Sequence, residues 1–134
     1  MALIKAYLTL IGDQFDPERV TKRLCLKPDC IRFPAEILAN GRLFGHTEWG
    51  IETEKQETDD VETKLKQLFL RVEHCIDDMG KLAEEISAEW NILLYVKSIA
   101  EDFPTIIFSS ETIQNMAKMK AAIGFDTYIY DEYP

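Results

Sequence analysis

Apolar and polar positions alternate from residue 2 to residue 11, with Ala2, Ile4, Ala6, Leu8 and Leu10 on one side and Lys5, Tyr7 and Thr9 on the other. A period of two predicts a half-buried strand. The period then changes. In "GDQFDPERVTKRLCL", Asp16 can cap a helix whose first position is Pro17, and Val20, Leu24 and Cys25 recur at helical spacing. This short helix is expected to lie on the first strand, with Cys25 on its buried side as a small hydrophobe.

Residues 27–45, "KPDCIRFPAEILANGRLFG", form the longest irregular stretch, in which Pro34 and Asn40-Gly41 could bracket a helical turn or two around Ile37 and Leu38. Long connections inside compact domains often carry function, so residues 27–43 are a candidate binding segment facing the long helix. Residues 47–54 alternate again: Trp49, Ile51 and Thr53 fall on one side, Glu48, Glu52 and Glu54 on the other. They predict a strand with one wet face. Phe44 has the wrong parity, and a bulge near Gly45 would restore it, leaving His46 at the mouth of the strand.

The clearest helix is "TDDVETKLKQLFLRVEHCIDDM", residues 58–79, striped by Val61, Leu65, Leu68, Val72, Ile76 and Met79. Asp59 with Glu62 matches a capping box, and Glu62 stands four residues before Lys66. Gly80 is expected to separate this helix from a shorter one through Leu82, Ala83 and Ile86. "EWNILLYVKSI" predicts a central strand, with Trp90, Ile92, Leu94 and Val96 against Asn91, Leu93, Tyr95 and Lys97. "PTIIFSS" reads as a further strand. A helix from Ser109 or Ser110 would carry Ile113, Met116, Ala117 and Ala121 inward and stop at Gly124. "FDTYIYDEY" closes the chain as a strand, with Phe125 and Ile129 inward and Tyr128 and Tyr130 on the other face.

The expected fold is α+β, a single domain over 1–134, in the order β-α-β-α-(α)-β-β-α-β. It has a mainly antiparallel sheet of about five strands with helices packed on one face. A chain of 134 residues, 46% hydrophobic and 29% charged, fits one ordinary globular core. Lys5 interrupts the first apolar run, no cleavage-site pattern follows it, and no apolar run reaches a membrane span's length, so a cytoplasmic location is expected. The odd count of 3 cysteines, Cys25, Cys30 and Cys75, agrees with a reducing compartment.

Charge narrows the partners. A net charge of −9 with scattered basic residues repels nucleic-acid phosphate and anionic lipid and complements a basic protein. Among chemical constellations, Cys25 and Cys30 with His46, His74 and Cys75 offer zinc-type donors, but the adjacent His74 and Cys75 would point about 100° apart on a helix. A Cys30–His46 nucleophile pair lacks a glycine-rich oxyanion turn. No catalytic residue, metal or cofactor is therefore assigned. Trp49, Trp90, Phe15 and Phe125 fit core positions. Tyr7, Tyr95, Tyr128 and Tyr130 would instead make an exposed aromatic patch if they share the sheet face opposite the helices.

The segments "LTLIGDQFDPERVTKRLCLKPD", "TEWGIETE", "DDVETKLKQLF", "PTIIFSSETIQNMAKM" and "FDTYIY" together resemble a family of small bacterial proteins, domain of unknown function 4279. "GDQFDP" at 12–17, Lys27-Pro28, Trp49 and Tyr128 to Tyr130 carry the likeness. Cys25 departs from it, standing where the family pattern L-G-I/L-x-P has glycine. The resemblance implies no assigned reaction. Small acidic bacterial proteins of this sort resemble immunity proteins that neutralise a basic toxin. The expected role is thus a non-enzymatic binding protein, contacting a basic toxin or another protein through Glu48, Glu52, Glu54, Tyr128 and Tyr130. The alternative is a small-ligand-binding or regulatory domain.

Overall fold

A computed structural model describes residues 1–34, 36, 37, 39, 41 and 43–132, with backbone alone at 36, 37, 43 and 44. Leu38, Asn40 and Tyr133, invoked above, lie outside the described residues, as does the side chain of Phe44. The N-terminal alternation becomes β1 (Leu3–Gly12), every second residue of which is buried through Leu10. Asp16 then caps α1 (Pro17–Leu24) by accepting from the Glu18 amide, and Val20 and Leu24 face the core. Cys25 is not on that buried face. It ends the helix in the left-handed region at φ 50°, ψ 46°, with its side chain exposed. A side chain in that conformation costs roughly 1–2 kcal/mol that glycine escapes. Cys25→Gly is expected to raise stability by about 0.5–1 kcal/mol in a denaturant titration, despite the greater freedom of glycine in the unfolded chain.

The irregular stretch holds no helix among its described residues. It contains β2 (Cys30–Arg32) and a separate hairpin of β3 (Glu36–Ile37) with β4 (Leu43–Phe44). β5 (Thr47–Glu52) follows, with Thr47, Trp49 and Ile51 buried as their parity requires. No bulge joins β4 to β5, because they belong to different sheets and Gly45 and His46 merely link them. β5 also stops short of Glu54. Gly50 within it is a steric necessity: a Cβ there would lie 2.6 Å from Cγ2 of Thr9, its antiparallel partner.

After β6 (Gln56–Glu57) come α2 (Val61–Val72) and α3 (Ile76–Glu85). The long helix is thus broken at Glu73–Cys75 rather than at Gly80. The apolar stripe continues through the break because both helices face one core. Gly80 lies inside α3, where an added Cβ would meet the Lys118 carbonyl oxygen at 3.2 Å, so its smallness serves a helix crossing. The cap of α2 is Asp60, accepting from the Thr63 amide, while Asp59 accepts from the Ala2 amide.

β7 (Ala88–Ile99) has Trp90, Ile92, Leu94 and Val96 buried, as its alternation predicts. No strand forms at 104–110. Pro104 is buried, and Ile106 and Phe108 rest against the core, but among the described residues no strand pairs with the segment 104–109. It is part of the crossover needed before a strand can run parallel to β7. α4 (Ser110–Met119) ends at the left-handed Lys120, and β8 (Ala122–Tyr130) follows, placing Gly124 inside a strand. Met116 and Met119 point inward, whereas Ile113 and Ala117 are exposed.

The main sheet of 6 strands has the order β2-β5-β1-β7-β8, with β6 also on β1. All pairings are antiparallel except β7–β8, so the sheet is mixed. Helices occupy one face: α1 on β5, α2 on β1, α3 on β7, and α4 against α2 and α3. Trp49 and Trp90 meet edge to face at 5.9 Å in the core between them.

Candidate functional site

Strand pairing decides what lies on the other sheet face. Lys5 faces Tyr95 and Tyr7 faces Leu93 across β1 and β7, while Lys97 faces Tyr128 and Ile99 faces Tyr130 across β7 and β8. Side chains opposite one another in a ladder share a face. Tyr7, Tyr95, Tyr128 and Tyr130 are therefore gathered on the face turned away from the helix-covered core, and Tyr128 and Tyr130 are 42% and 37% exposed. Phe125 and Ile129 point the other way, as their parity requires, yet remain 46% and 58% exposed because β8 is an edge.

Lysines interleave with the tyrosines. Lys5 Nζ lies 4.8 Å from the Tyr7 ring centroid, Lys55 Nζ 5.0 Å from Tyr95, and Lys97 Nζ 5.2 Å from Tyr130. The Tyr95 and Tyr128 rings are 5.3 Å apart. An ammonium within about 6 Å of a ring centroid is attracted by the ring's electron-rich face. Lys5 meets Tyr7 along β1 itself, Lys55 reaches in from the loop after β5, and Lys97 arrives through the register of β7 with β8.

The acidic candidates are less free than their sequence positions imply. Glu52 is ion-paired with Lys5 at 3.2 Å. Burial is the largest single influence and works against the Lys5 charge, but the hydrogen bond and charge of Glu52 together with Tyr7 outweigh it and leave the Lys5 pKa raised. Glu48 is half-buried, which pushes its carboxyl above the ordinary value despite nearby Arg32. Glu54 is exposed beyond the strand. The Tyr128 hydroxyl donates to Asp126 at 3.3 Å, and the Asp126 charge raises the phenol pKa. This set of residues is consequently mixed in charge, although the whole chain carries −9.

Potential chemical groups disperse. His74 Nε2 lies 2.8 Å from the Leu24 carbonyl oxygen, which can only accept, so that nitrogen carries a proton. Cys75 is buried against Val72, and burial pushes its thiol up to about 11. Cys30 faces Gly50, whereas His46, beside Asp13 at 3.6 Å, precedes Gly50 by roughly 13 Å of strand. Among the described residues no group of three His, Cys, Asp or Glu converges on a point that could hold a metal ion.

Concavities also mark the surface formed by the described residues. A hollow of about 400 Å³ lies between α1 and residues 27–31, lined by Glu18, Thr21, Lys27 and Pro28. It opens on α1 and not, as expected, on the long helix, because Arg71 of α2 closes onto Asp29 at 2.7 Å. Burial opposes the Asp29 charge, but hydrogen bonds from Arg71 and the Glu52 amide prevail and lower its pKa. A groove of about 530 Å³ runs between α2 and α4 past Lys66, Leu70, Glu73 and Lys118. A dent of about 80 Å³ sits over Gly50 on the open face, between Tyr7, Arg32 and Glu48.

The architecture defines a class: an α+β domain whose helices cover one side of a mixed sheet and leave a lysine- and tyrosine-lined face on the other. Residues 2–130 match the family described as Domain of unknown function (DUF4279), and the chain belongs to it. No curated protein and no solved structure matches the chain. Among the described residues no helix is long and apolar enough to cross a membrane.

Proposed function

We propose that this chain is a bacterial cytoplasmic binding protein, performing no chemistry, that docks a basic protein such as a toxin it neutralises. The observation carrying this reading is the gathering of four tyrosines on the uncovered sheet face. Tyrosines combine large contact area with few rotatable bonds and a terminal hydroxyl, which suits them as interface anchors. The net charge of −9 supplies the choice of a basic partner through its long-range field. Contacts themselves would come from the rings and from Glu48 and Glu54, since Glu52 already holds Lys5.

The test begins with capture from native extract by the wild-type chain and by a Tyr128→Ala/Tyr130→Ala variant, followed by kinetics with the captured protein. Association should slow about tenfold from low to physiological salt while dissociation changes little. Glu48→Lys and Glu54→Lys should slow association, and each tyrosine truncation should speed release about tenfold. An acidic or nucleic-acid partner, or association indifferent to salt, overturns the reading. The hollow beside α1 supports the second reading, a small ligand, which a metabolite-dependent thermal shift would reveal.

A further inference from the structure

The two edges of the main sheet are built differently. β2 is an edge of 3 residues, Cys30–Arg32, flanked by Pro28 and Pro34. Shortness and flanking prolines keep such an edge from recruiting another strand. β8 is an edge of 9 residues with no proline or lysine and one charge, Asp126. Among the described residues nothing pairs with its outer side. Phe125, Tyr128, Ile129 and Tyr130 along it are all more than one-third exposed.

We infer that β8 pairs antiparallel with β8 of a second copy, about a two-fold axis through Thr127, joining two main sheets into one. The sequence "GFDTYIY", residues 124–130, is complementary to itself in this register. On the tyrosine-bearing face, Asp126 meets Tyr128 of the second copy, pairing a carboxylate with a phenol donor, and Gly124 meets Tyr130, whose ring covers the bare backbone. On the helix-side face, Phe125 meets Ile129, and Thr127 meets Thr127 at the axis. Aromatic–aliphatic and Thr–Thr pairs are favourable cross-strand neighbours. Gly124 through Tyr130 of each copy exchange roughly six to eight backbone hydrogen bonds.

Neighbouring registers are poorer. An axis through Asp126 sets two carboxylates opposite each other, and one through Tyr128 sets Phe125 against Asp131. A two-fold pairing also makes a closed dimer, because each copy uses its one long free edge. The inference goes beyond the docking of a basic partner but shares Tyr128 and Tyr130 with it, so its test rests on Thr127, which faces Val96 on the helix side, away from the tyrosines.

Sedimentation of the purified chain across a micromolar to sub-millimolar series should show a species of twice the 15.5 kDa chain mass. Thr127→Lys, which sets two ammonium groups opposite each other at an exposed position, should weaken the dimer at least tenfold. Thr127→Ser should leave it intact. Circular dichroism should show both variants folded. The register is read by a short thiol cross-linker on a Cys25→Ser/Cys30→Ser background. Thr127→Cys should join the copies, whereas Ala122→Cys, separated from its symmetry mate by roughly 30 Å, should not. A chain monomeric throughout the series, a dimer indifferent to Thr127→Lys, or equal cross-linking at both positions overturns the inference. Monomers that add a strand from an unrelated peptide would assign the edge to another occupant and overturn it equally.

Discussion

Truncating Trp49 to alanine is expected to lower the unfolding free energy by about 4 kcal/mol, and truncating His46 by less than about 1 kcal/mol. The two residues lie close in sequence, in "FGHTEWGIET", but not in environment. Trp49 is fully buried, meets Trp90 edge to face at 5.9 Å, and donates from Nε1 to Thr21 Oγ1 at 2.9 Å. Its removal leaves a cavity between β5 and α1 and an unpaired Thr21 hydroxyl. His46 is exposed and faces Asp13, whose carboxylate is itself exposed, and such pairs contribute little. Urea titrations with unchanged slope would check both values. Thr21→Val would isolate the hydrogen-bond part, expected to be about 1 kcal/mol. Equal losses at Trp49 and His46 would show that His46 has a structural or ligand-holding role.

Strand positions were legible where one face is buried. In β1, β5 and β7, alternating residues are set inward by the pleat, and Ile4, Trp49 and Trp90 follow the sequence pattern directly. The same signal misled at 104–110, where Ile106 and Phe108 rest on the core although no strand among the described residues pairs with them. Periodicity reports contact with an apolar surface, not a hydrogen-bonded ladder. The break between α2 and α3 was hidden for a related reason: Leu68, Val72, Ile76 and Met79 all serve one core, so the stripe crosses the turn unchanged. Glycine signals erred where tertiary contact governs. Gly80 and Gly124 read as helix ends, yet the left-handed residues that follow the helices are Cys25, Ser87 and Lys120, none a glycine.

The tyrosine face was legible as parity, since Tyr95, Tyr128 and Tyr130 each oppose the apolar set of their own strand. Lys5 and Lys97 share that parity with Tyr7 and Tyr95, but the contacts made between elements were not legible. Lys55 reaches Tyr95 from the loop after β5, and Lys97 reaches Tyr130 through the parallel register, neither of which local pattern encodes. Nor did the sequence reveal Lys64, 2% exposed in the first turns of α2 with its ammonium donating to Gln67 at 3.2 Å. Burial lowers its pKa, while nearby Glu54 supports its charge. Local pattern places a lysine on the wet side of an amphipathic helix by default, and only the fold shows what covers it.

Glu62→Ala is expected to cost about 3 kcal/mol, because this carboxylate joins α2 to the start of α4 instead of capping its own helix. It accepts from the Ser109 hydroxyl at 2.7 Å, the Ser109 amide at 2.9 Å and the Thr112 hydroxyl at 2.7 Å, with Lys66 at 3.7 Å. Ser109 is the cap of α4, so the negative charge also sits at the positive end of that helix. The Ser109 and Thr112 hydrogen bonds outweigh burial and hold the carboxyl down to about 2, against an ordinary 4.5. A lowered folded-state value means that the stabilisation is complete above pH 4.5 and disappears as pH falls toward 2. Glu62→Gln keeps the shape but lacks this titration, so urea stability of the two proteins should differ at pH 7 and converge as pH falls through that window. Hydrogen exchange should locate the loss in α4, the element that leads into β8. A difference between wild type and Glu62→Gln that persists unchanged at pH 2.5 would show that the charge on Glu62 does not hold α4 in place.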